Sequence, residues 1–269
     1  MTSLSHTGTA LITGASSGIG AIYADRLAHR GHDLILVARN RARLEALARR
    51  LSDETGRTIE VIVADLGDRS DLARVETVLR TDSSITVLVN NAGLGATAPL
   101  LVSDVDRMTD MINLNVTALT RLTYAAIPGF AARGGGTVIN IASIVGIAPE
   151  MLNGVYGASK AFVIAFSQSL RHEVSQKHIR IQAVLPGATA TDFWEISGKP
   201  VSELPDEIVM RAEDMVDAAL AGLDQGEFIT IPALPEGADW EAYEAARQKL
   251  MPNLSRRQPA ARYRMDKAA

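Results

Sequence analysis

Ala10-Leu11-Ile12-Thr13-Gly14-Ala15-Ser16-Ser17-Gly18-Ile19-Gly20 is the stretch that decides the fold. A short apolar run ends in three glycines spaced G-x-x-x-G-x-G, and a helical pattern starts inside the motif. Glycines there permit a tight turn and bring backbone N–H groups up to a pyrophosphate at a helix N-terminus. The same residues also make ordinary turns. Their place, directly after a first strand and before a first helix, favours a dinucleotide. The spacing is neither G-x-G-x-x-G nor that of a P-loop, and no lysine stands nearby to reach a γ-phosphate.

Working outward, the chain repeats that strand–helix alternation. Apolar runs at Ala10–Thr13, Leu34–Ala38, Ile59–Ala64, Ile85–Val89, Thr137–Ile141, Ile179–Leu185 and Phe228–Ile231 are nearly continuous, as in strands covered on both faces. Ile19–Arg30, Arg41–Glu54, Asp68–Arg80, Val105–Ala132, Val155–Lys177 and Pro205–Leu223 have helix-forming composition. Such alternation implies an α/β, doubly wound parallel sheet with right-handed crossovers. The pattern runs to about Pro232, so residues 1–232 are expected to form one domain. Residues 233–269 are read as an appendage of it: a short helix over Asp239–Met251, with Trp240, Tyr243 and Leu250 on one side, then a basic tail of Arg256, Arg257, Arg262, Arg264 and Lys267. That appendage either packs on the body or covers a pocket or another subunit.

Composition narrows the function. In 269 residues, 27 basic and 31 acidic side chains give a net charge of −4, which offers no electrostatic basis for nucleic-acid or acidic-membrane binding. With no cysteine, disulfides, thiolate nucleophiles and Cys-ligated metal sites are excluded. No apolar run approaches the roughly 18 residues of a membrane span, and Met1 to Gly8 does not look like a signal peptide. The expectation is a soluble, cytoplasmic protein without metal.

The second strand should end near an adenosine ribose, where an acidic side chain would read a free 2′-hydroxyl. This chain has Leu36-Val37-Ala38-Arg39-Asn40 instead. Arg39 can pair with a 2′-phosphate, and Ser16 can add a hydroxyl. NADP(H) is therefore expected over NAD(H), although a solvated arginine at a helix start would look the same.

Tyr156 and Lys160 stand one helical turn apart. A phenol titrates near 10, and a neighbouring ammonium favours its ionised form, so the pair can exchange a proton with a carbonyl or alcohol oxygen. Arginine outnumbers lysine 22 to 5, and Lys160 is the first lysine in the chain. Ser143, just after the fifth strand, can hydrogen-bond a substrate oxygen or merely cap a turn. Asn90-Asn91-Ala92-Gly93 follows the fourth strand at the same sheet edge.

Together, Thr13–Gly20, Asn90–Gly93, Ser143, Tyr156-x-x-x-Lys160 and Pro186-Gly187 resemble, in order and spacing, the classical short-chain dehydrogenase/reductase family over roughly residues 8–232. The resemblance implies a single Rossmann-type domain with a seven-stranded parallel sheet and NAD(P)-dependent interconversion of a carbonyl and a secondary alcohol. It makes Tyr156 the acid/base, Lys160 its partner and a ligand of the nicotinamide ribose, and Ser143 the stabiliser of the substrate oxygen. Asn115, or alternatively Asn113, matches the helix asparagine of a proton relay. Gly14, Ser16, Ser17, Gly18, Ile19 and Gly20 match the pyrophosphate loop. Asp65 and Leu66 resemble the pair flanking adenine and Asn91 the residue behind the adenosine ribose, with Ala92 and Gly93 expected to bind the cofactor beside it. Pro186, Gly187, Thr189 and Thr191 match the segment that holds the carboxamide.

Two features depart from the pattern. Ser17 stands where many NADP-using relatives carry a second basic residue, and the tail beyond Pro232 falls outside the shared region. Segments 94–98, 144–153 and 193–198 are expected to line the substrate site. They are largely apolar, with Met151, Phe193 and Trp194, and they hold no arginine for a carboxylate. A hydrophobic or aromatic ketone fits them better than a sugar phosphate. The family also implies a homodimer or homotetramer, with Ala161–Leu170 as a candidate contact. The rival reading is a non-catalytic NADP(H)-sensing protein on the same fold, which would have no need to keep Tyr156 or Lys160.

Overall fold

The computed structural model describes residues 7–263; residues 1–6 and the tail residues Arg264 and Lys267 lie outside the described part. The chain divides into two compact units after Pro232.

The first unit contains β1 (Thr9–Thr13), α1 (Gly18–His29), β2 (Asp33–Ala38), α2 (Arg41–Thr55), β3 (Ile59–Val63), α3 (Arg69–Thr81) and β4 (Ile85–Asn90). It continues through α4 (Val105–Ile112), α5 (Leu119–Ala132), β5 (Gly136–Ile141), α6 (Gly154–Glu173), β6 (Ile179–Val184), β7 (Thr189–Ala190), α7 (Phe193–Ile196), β8 (Met210–Arg211), α8 (Ala212–Asp224) and β9 (Ile229–Thr230). Seven strands form one parallel sheet in the order β3-β2-β1-β4-β5-β6-β9. β1 pairs with both β2 and β4, so the chain reverses its direction of growth there. The carboxyl ends of β1 and β4 therefore open a crevice, the usual ligand site of such sheets.

Alternate side chains of each strand face opposite layers. Ala10, Ile12, Leu34 and Leu36 pack with Tyr23 and Leu27 of α1, Leu44 and Leu51 of α2, and Met215 and Leu220 of α8. Leu11, Ile35, Val37, Leu88 and Val138 pack on the other face with Leu72 and Val75 of α3, Leu122 and Phe130 of α5, and Leu170 of α6. Burial on both faces explains why the strands read as continuous apolar runs.

Three helix expectations need correction. The helix expected over Val105–Ala132 is interrupted by a π-helical segment at Asn113–Ala118. The helix expected from Pro205 begins at Ala212, because Val201–Glu203 and Asp206–Ile208 form separate 3-10 turns behind Pro200 and Pro205. The helix expected to reach Lys177 stops at Glu173, and His178 takes a left-handed φ of 53° before β6. A further two-stranded sheet, β7–β8, pairs Thr189 with Met210.

The second unit holds α9 (Gly237–Leu250), in place of the expected Asp239–Met251, followed by short 3-10 turns. Trp240 and Tyr243 stack at 5.2 Å, and none of the α9 residues is buried. Among the described residues, no helix is long and apolar enough to cross a membrane.

Candidate active site

The glycine loop closes against the end of β4. Thr13 Oγ1 donates to the Val89 carbonyl at 3.2 Å and accepts from the backbone N–H groups of Asn91 and Ala92 at 2.9 and 3.0 Å. Asn91 Nδ2 donates back to the carbonyls of Thr13 (2.9 Å) and Gly14 (3.3 Å). This lacing requires glycine at 14. Its φ is +66°, and a Cβ would lie 2.8 Å from Asn91 Nδ2 and 2.9 Å from Ala92 Cα.

The start of α1 suits a phosphate. α2, α3, α4 and α6 each begin with a side chain that accepts from first-turn N–H groups, namely Asn40, Asp68, Asp104 and Asn153. The Ser17 hydroxyl makes no such bond, so the N-cap side chain does not compete for the α1 donors. Gly18, at φ +52°, lies so close to Thr191 that a Cβ would be 3.1 Å from Thr191 Cγ2. Ser16 and Ile19 flank this loop, half-buried. These residues fit a dinucleotide pyrophosphate.

At the adenosine end, Arg39 is exposed just beyond β2. Its Nη1 lies 3.9 Å from Asp65 Oδ2, so the structure brings together the residue read as a phosphate ligand and one read as flanking adenine. Leu66, next to Asp65 in the chain, is buried. On the nicotinamide side, the Pro186 carbonyl accepts from Ile144 N (3.1 Å) and Ser143 Oγ (3.3 Å). Thr189 Oγ1 donates to the Gly187 carbonyl at 3.2 Å. The carboxamide segment is thereby fixed to the residue expected to hold the substrate oxygen.

Ser143, Tyr156 and Lys160 are all buried beside the end of β5. Asn153 caps α6 by accepting from Val155 N at 2.9 Å and Tyr156 N at 3.3 Å, and its Nδ2 donates to the Ala98 carbonyl. Lys160 Nζ donates to the Ile141 carbonyl at 2.9 Å and lies 5.8 Å from the Tyr156 ring centroid. Burial pushes the Tyr156 phenol up to about 12, against the downward pull of its hydrogen bond with Ser143. Burial alone pushes the Lys160 ammonium down to about 8.

Asn115 sits in the π-helical segment and is buried, whereas Asn113 is exposed. Its Nδ2 donates to the Leu94 carbonyl (2.9 Å) and Ser159 Oγ (3.1 Å), and its Oδ1 accepts from Leu94 N at 2.8 Å. Ser159 Oγ in turn donates to the Tyr156 carbonyl at 2.8 Å. A Cβ on Gly93 would be 3.1 Å from Asn115 Oδ1 and 3.7 Å from Lys160 Nζ, so all three converge. π-Helical irregularities of this kind cluster at functional sites.

An apolar wall surrounds the phenol: Ala96, Met111 and Val145, with Leu94, Ile144, Leu152 and Phe193 packed on them. The Phe193 ring centroid is 5.6 Å from that of Tyr156. Trp194 is buried and edge-on to Phe193, with its indole N–H donating to the Thr189 carbonyl at 3.0 Å. Met151 is exposed. Among the described residues no acidic or histidine cluster suits a metal.

Thr13 and Asn153 enter the sequence reading only as ends of the glycine motif and of the 144–153 lining segment, without a role of their own, and Ser159 does not enter it. A signal existed for two of them: a threonine ending a two-faced apolar strand, and an asparagine one residue before a helix. Nothing local marks Ser159.

Residues 8–200 match the family described as short chain dehydrogenase. A very-long-chain 3-oxoacyl-CoA reductase from Anas platyrhynchos is 38% identical over 208 residues, which is 76% of this chain and 66% of that protein. The solved short-chain dehydrogenase from Sphingobium yanoikuyae in complex with NADPH is 50% identical, with a TM-score of 0.93 over 96% of this chain and all of that one. The bulky-bulky ketone specific alcohol dehydrogenase from Comamonas testosteroni is 46% identical, with a TM-score of 0.89 over 96% of this chain and 99% of that one.

Proposed function

The chain belongs to the short-chain dehydrogenase family, and from that premise we propose that it is an NADPH-dependent reductase of bulky, apolar ketones. The observation that carries this is the convergence of Ser143, Tyr156 and Lys160 at the end of β5, facing an apolar wall. Held by the glycine loop, Arg39 and Lys160, the reduced cofactor would supply the hydride for the carbonyl carbon.

Tyr156 gives its phenolic proton to the carbonyl oxygen, which becomes the alcohol. A phenol raised to about 12 is protonated at neutral pH, the state that reduction requires. The Ser143 hydroxyl donates a hydrogen bond to the same oxygen and stabilises the charge developing there. Lys160 places an ammonium beside the phenol, favours its ionised form as the proton leaves, and binds the nicotinamide ribose. Asn115 is a positioning residue: its bonds hold Leu94 and Ser159, and through Ser159 the backbone of Tyr156.

The wall of Leu94, Ala96, Ile144, Val145, Leu152 and Phe193 matches an aryl or branched ketone, and the name of the Comamonas testosteroni relative points the same way. Arg39 selects the 2′-phosphate. We place the chain in the cytoplasm as a homodimer joined through Val105, Ile112, Tyr124 and Phe162, which leave large apolar surface exposed along α4, α5 and α6.

Thermal unfolding with NADPH, NADH or neither tests the cofactor, because a ligand bound only by the folded state raises stability by RT ln(1 + [L]/Kd). NADPH should stabilise more than NADH, with the difference lost in Arg39→Ala, and bulky aryl ketones should then drive NADPH oxidation. Equal shifts would overturn the role of Arg39. NADPH binding without turnover on any ketone would favour a cofactor-sensing protein.

A further inference from the structure

The segment after β6 runs across the cofactor side of the first unit and is fastened at both flanks. Thr191 lies against Gly18 at the start of α1. The next residue, Asp192, accepts from Arg43: Nη1 to Oδ2 is 3.1 Å, across 149 positions of sequence. Arg43 stands in the first turn of α2, just past Arg39. The two helix starts that flank the pyrophosphate and adenosine ends are therefore bridged by two consecutive residues of one segment.

The start of α2 is strongly basic. Arg39, Arg41 and Arg43 crowd it, and its first turn has no acidic residue. Cations oppose the positive end of a helix dipole, and α3 and α4 follow the rule with Asp71 and Asp106 in their first turns. Glu45 of α2 pairs with Arg41 at 3.3 Å, and Asp192 supplies from another element the carboxylate for Arg43 that the first turn of α2 lacks.

The bridge also leads to the reacting end. Trp194 is buried and donates to the Thr189 carbonyl, so residues 189–194 form a locked turn. Phe193, between Asp192 and Trp194, carries its ring to 5.6 Å from that of Tyr156. Farther along, the Ser197 carbonyl accepts from Thr97 N at 3.2 Å and Thr97 Oγ1 at 2.9 Å. The turn is rigid at Trp194 and anchored at Ser197. Its fastening toward α2 is one solvent-exposed ion pair, the part that opens most easily.

We propose that the Arg43–Asp192 pair is a clasp that holds residues 189–197 over the bound dinucleotide, making Asp192 a positioning residue that sets how long the cofactor stays. This rests on the cofactor reading above and adds the step that limits cofactor exchange. With the clasp open, the locked turn moves as one piece, because Trp194 ties Phe193 to Thr189. Cofactor release and the placing of the apolar wall are then one motion.

The test is the rate at which bound NADPH or NADH is released, followed by the cofactor's own fluorescence during a chase with excess oxidised cofactor. Asp192→Asn should speed release of both by about two- to five-fold, the range of an exposed ion pair, with unchanged thermal unfolding of the free protein. Added salt should speed NADH release more from the native protein than from the variant. The double variant Arg43→Asp with Asp192→Arg should bring NADH release back toward the native rate, which loss of a merely structural contact would not do. Unchanged NADH release from Asp192→Asn, with binding intact, overturns the clasp alone. Slower NADPH release from that variant also overturns it, since Asp192 would then be competing with the 2′-phosphate for Arg43. Failure of the native protein to bind either cofactor overturns the clasp and the cofactor reading together.

Discussion

Lys160 Nζ lies 5.8 Å from the centroid of the Tyr156 ring and donates to the Ile141 carbonyl, so an ammonium is buried beside a phenol with one backbone oxygen as its hydrogen-bond acceptor. This arrangement has a cost that pH can reveal. Burial lowers Lys160 from 10.5 to about 8 and raises Tyr156 from 10.0 to about 12.

The signs follow from proton linkage. Between about pH 8 and pH 10 the unfolded chain holds a proton on Lys160 that the folded protein releases, so this group makes stability rise with pH. Above about pH 10 the unfolded tyrosine ionises while folded Tyr156 does not, and stability falls again. The Tm difference between the native protein and Lys160→Met should therefore move in favour of the native protein from pH 8 to pH 10. A difference that stays constant across that window would mean that Lys160 is not buried as a charge.

Thr13→Val keeps the shape of the β1 terminus and removes the hydroxyl. Two half-buried N–H groups, those of Asn91 and Ala92, lose their acceptor. A fully buried unpaired donor costs roughly 1–3 kcal/mol and a half-buried one less, so a Tm a few degrees lower and weaker NADPH binding are expected. Isothermal titration separates the two effects. An unchanged affinity would show that the glycine loop holds its geometry without this lacing.

Asn153→Ala removes the cap of α6 at a cost of about 1 kcal/mol. Because the cap accepts from the backbone of Tyr156 itself, kcat should fall more than the KM for NADPH rises. Steady-state kinetics decides this. A change confined to KM would place Asn153 in binding rather than in the positioning of Tyr156.

The strands were legible because burial on both faces makes them continuous apolar runs, and the glycine loop because only glycine tolerates φ +66° so close to Ala92. The π-helical segment was not legible. Its apolar residues continue the helical period on either side, and the change lies in backbone hydrogen bonding rather than in composition. Pro205 was misread because the residues after it have helical composition, although they form a 3-10 turn and then a two-residue strand before α8. In the candidate site, the placing of Tyr156 and Lys160 one turn apart on α6 and of Ser143 at the end of β5 is legible because each is local to one turn or one strand end. Long-range partnerships such as Arg43 with Asp192 leave no mark in sequence, since arginines and aspartates on exposed faces are common.

The proposed reduction depends on Tyr156 as proton donor. The decisive measurement is NADPH oxidation on a bulky aryl ketone by Tyr156→Phe, with NADPH binding measured on the same preparation. Loss of general-acid catalysis typically costs 10²–10⁴-fold, so turnover should fall by at least about a hundred-fold while NADPH affinity stays near the native value. Native-like turnover in Tyr156→Phe would contradict the account.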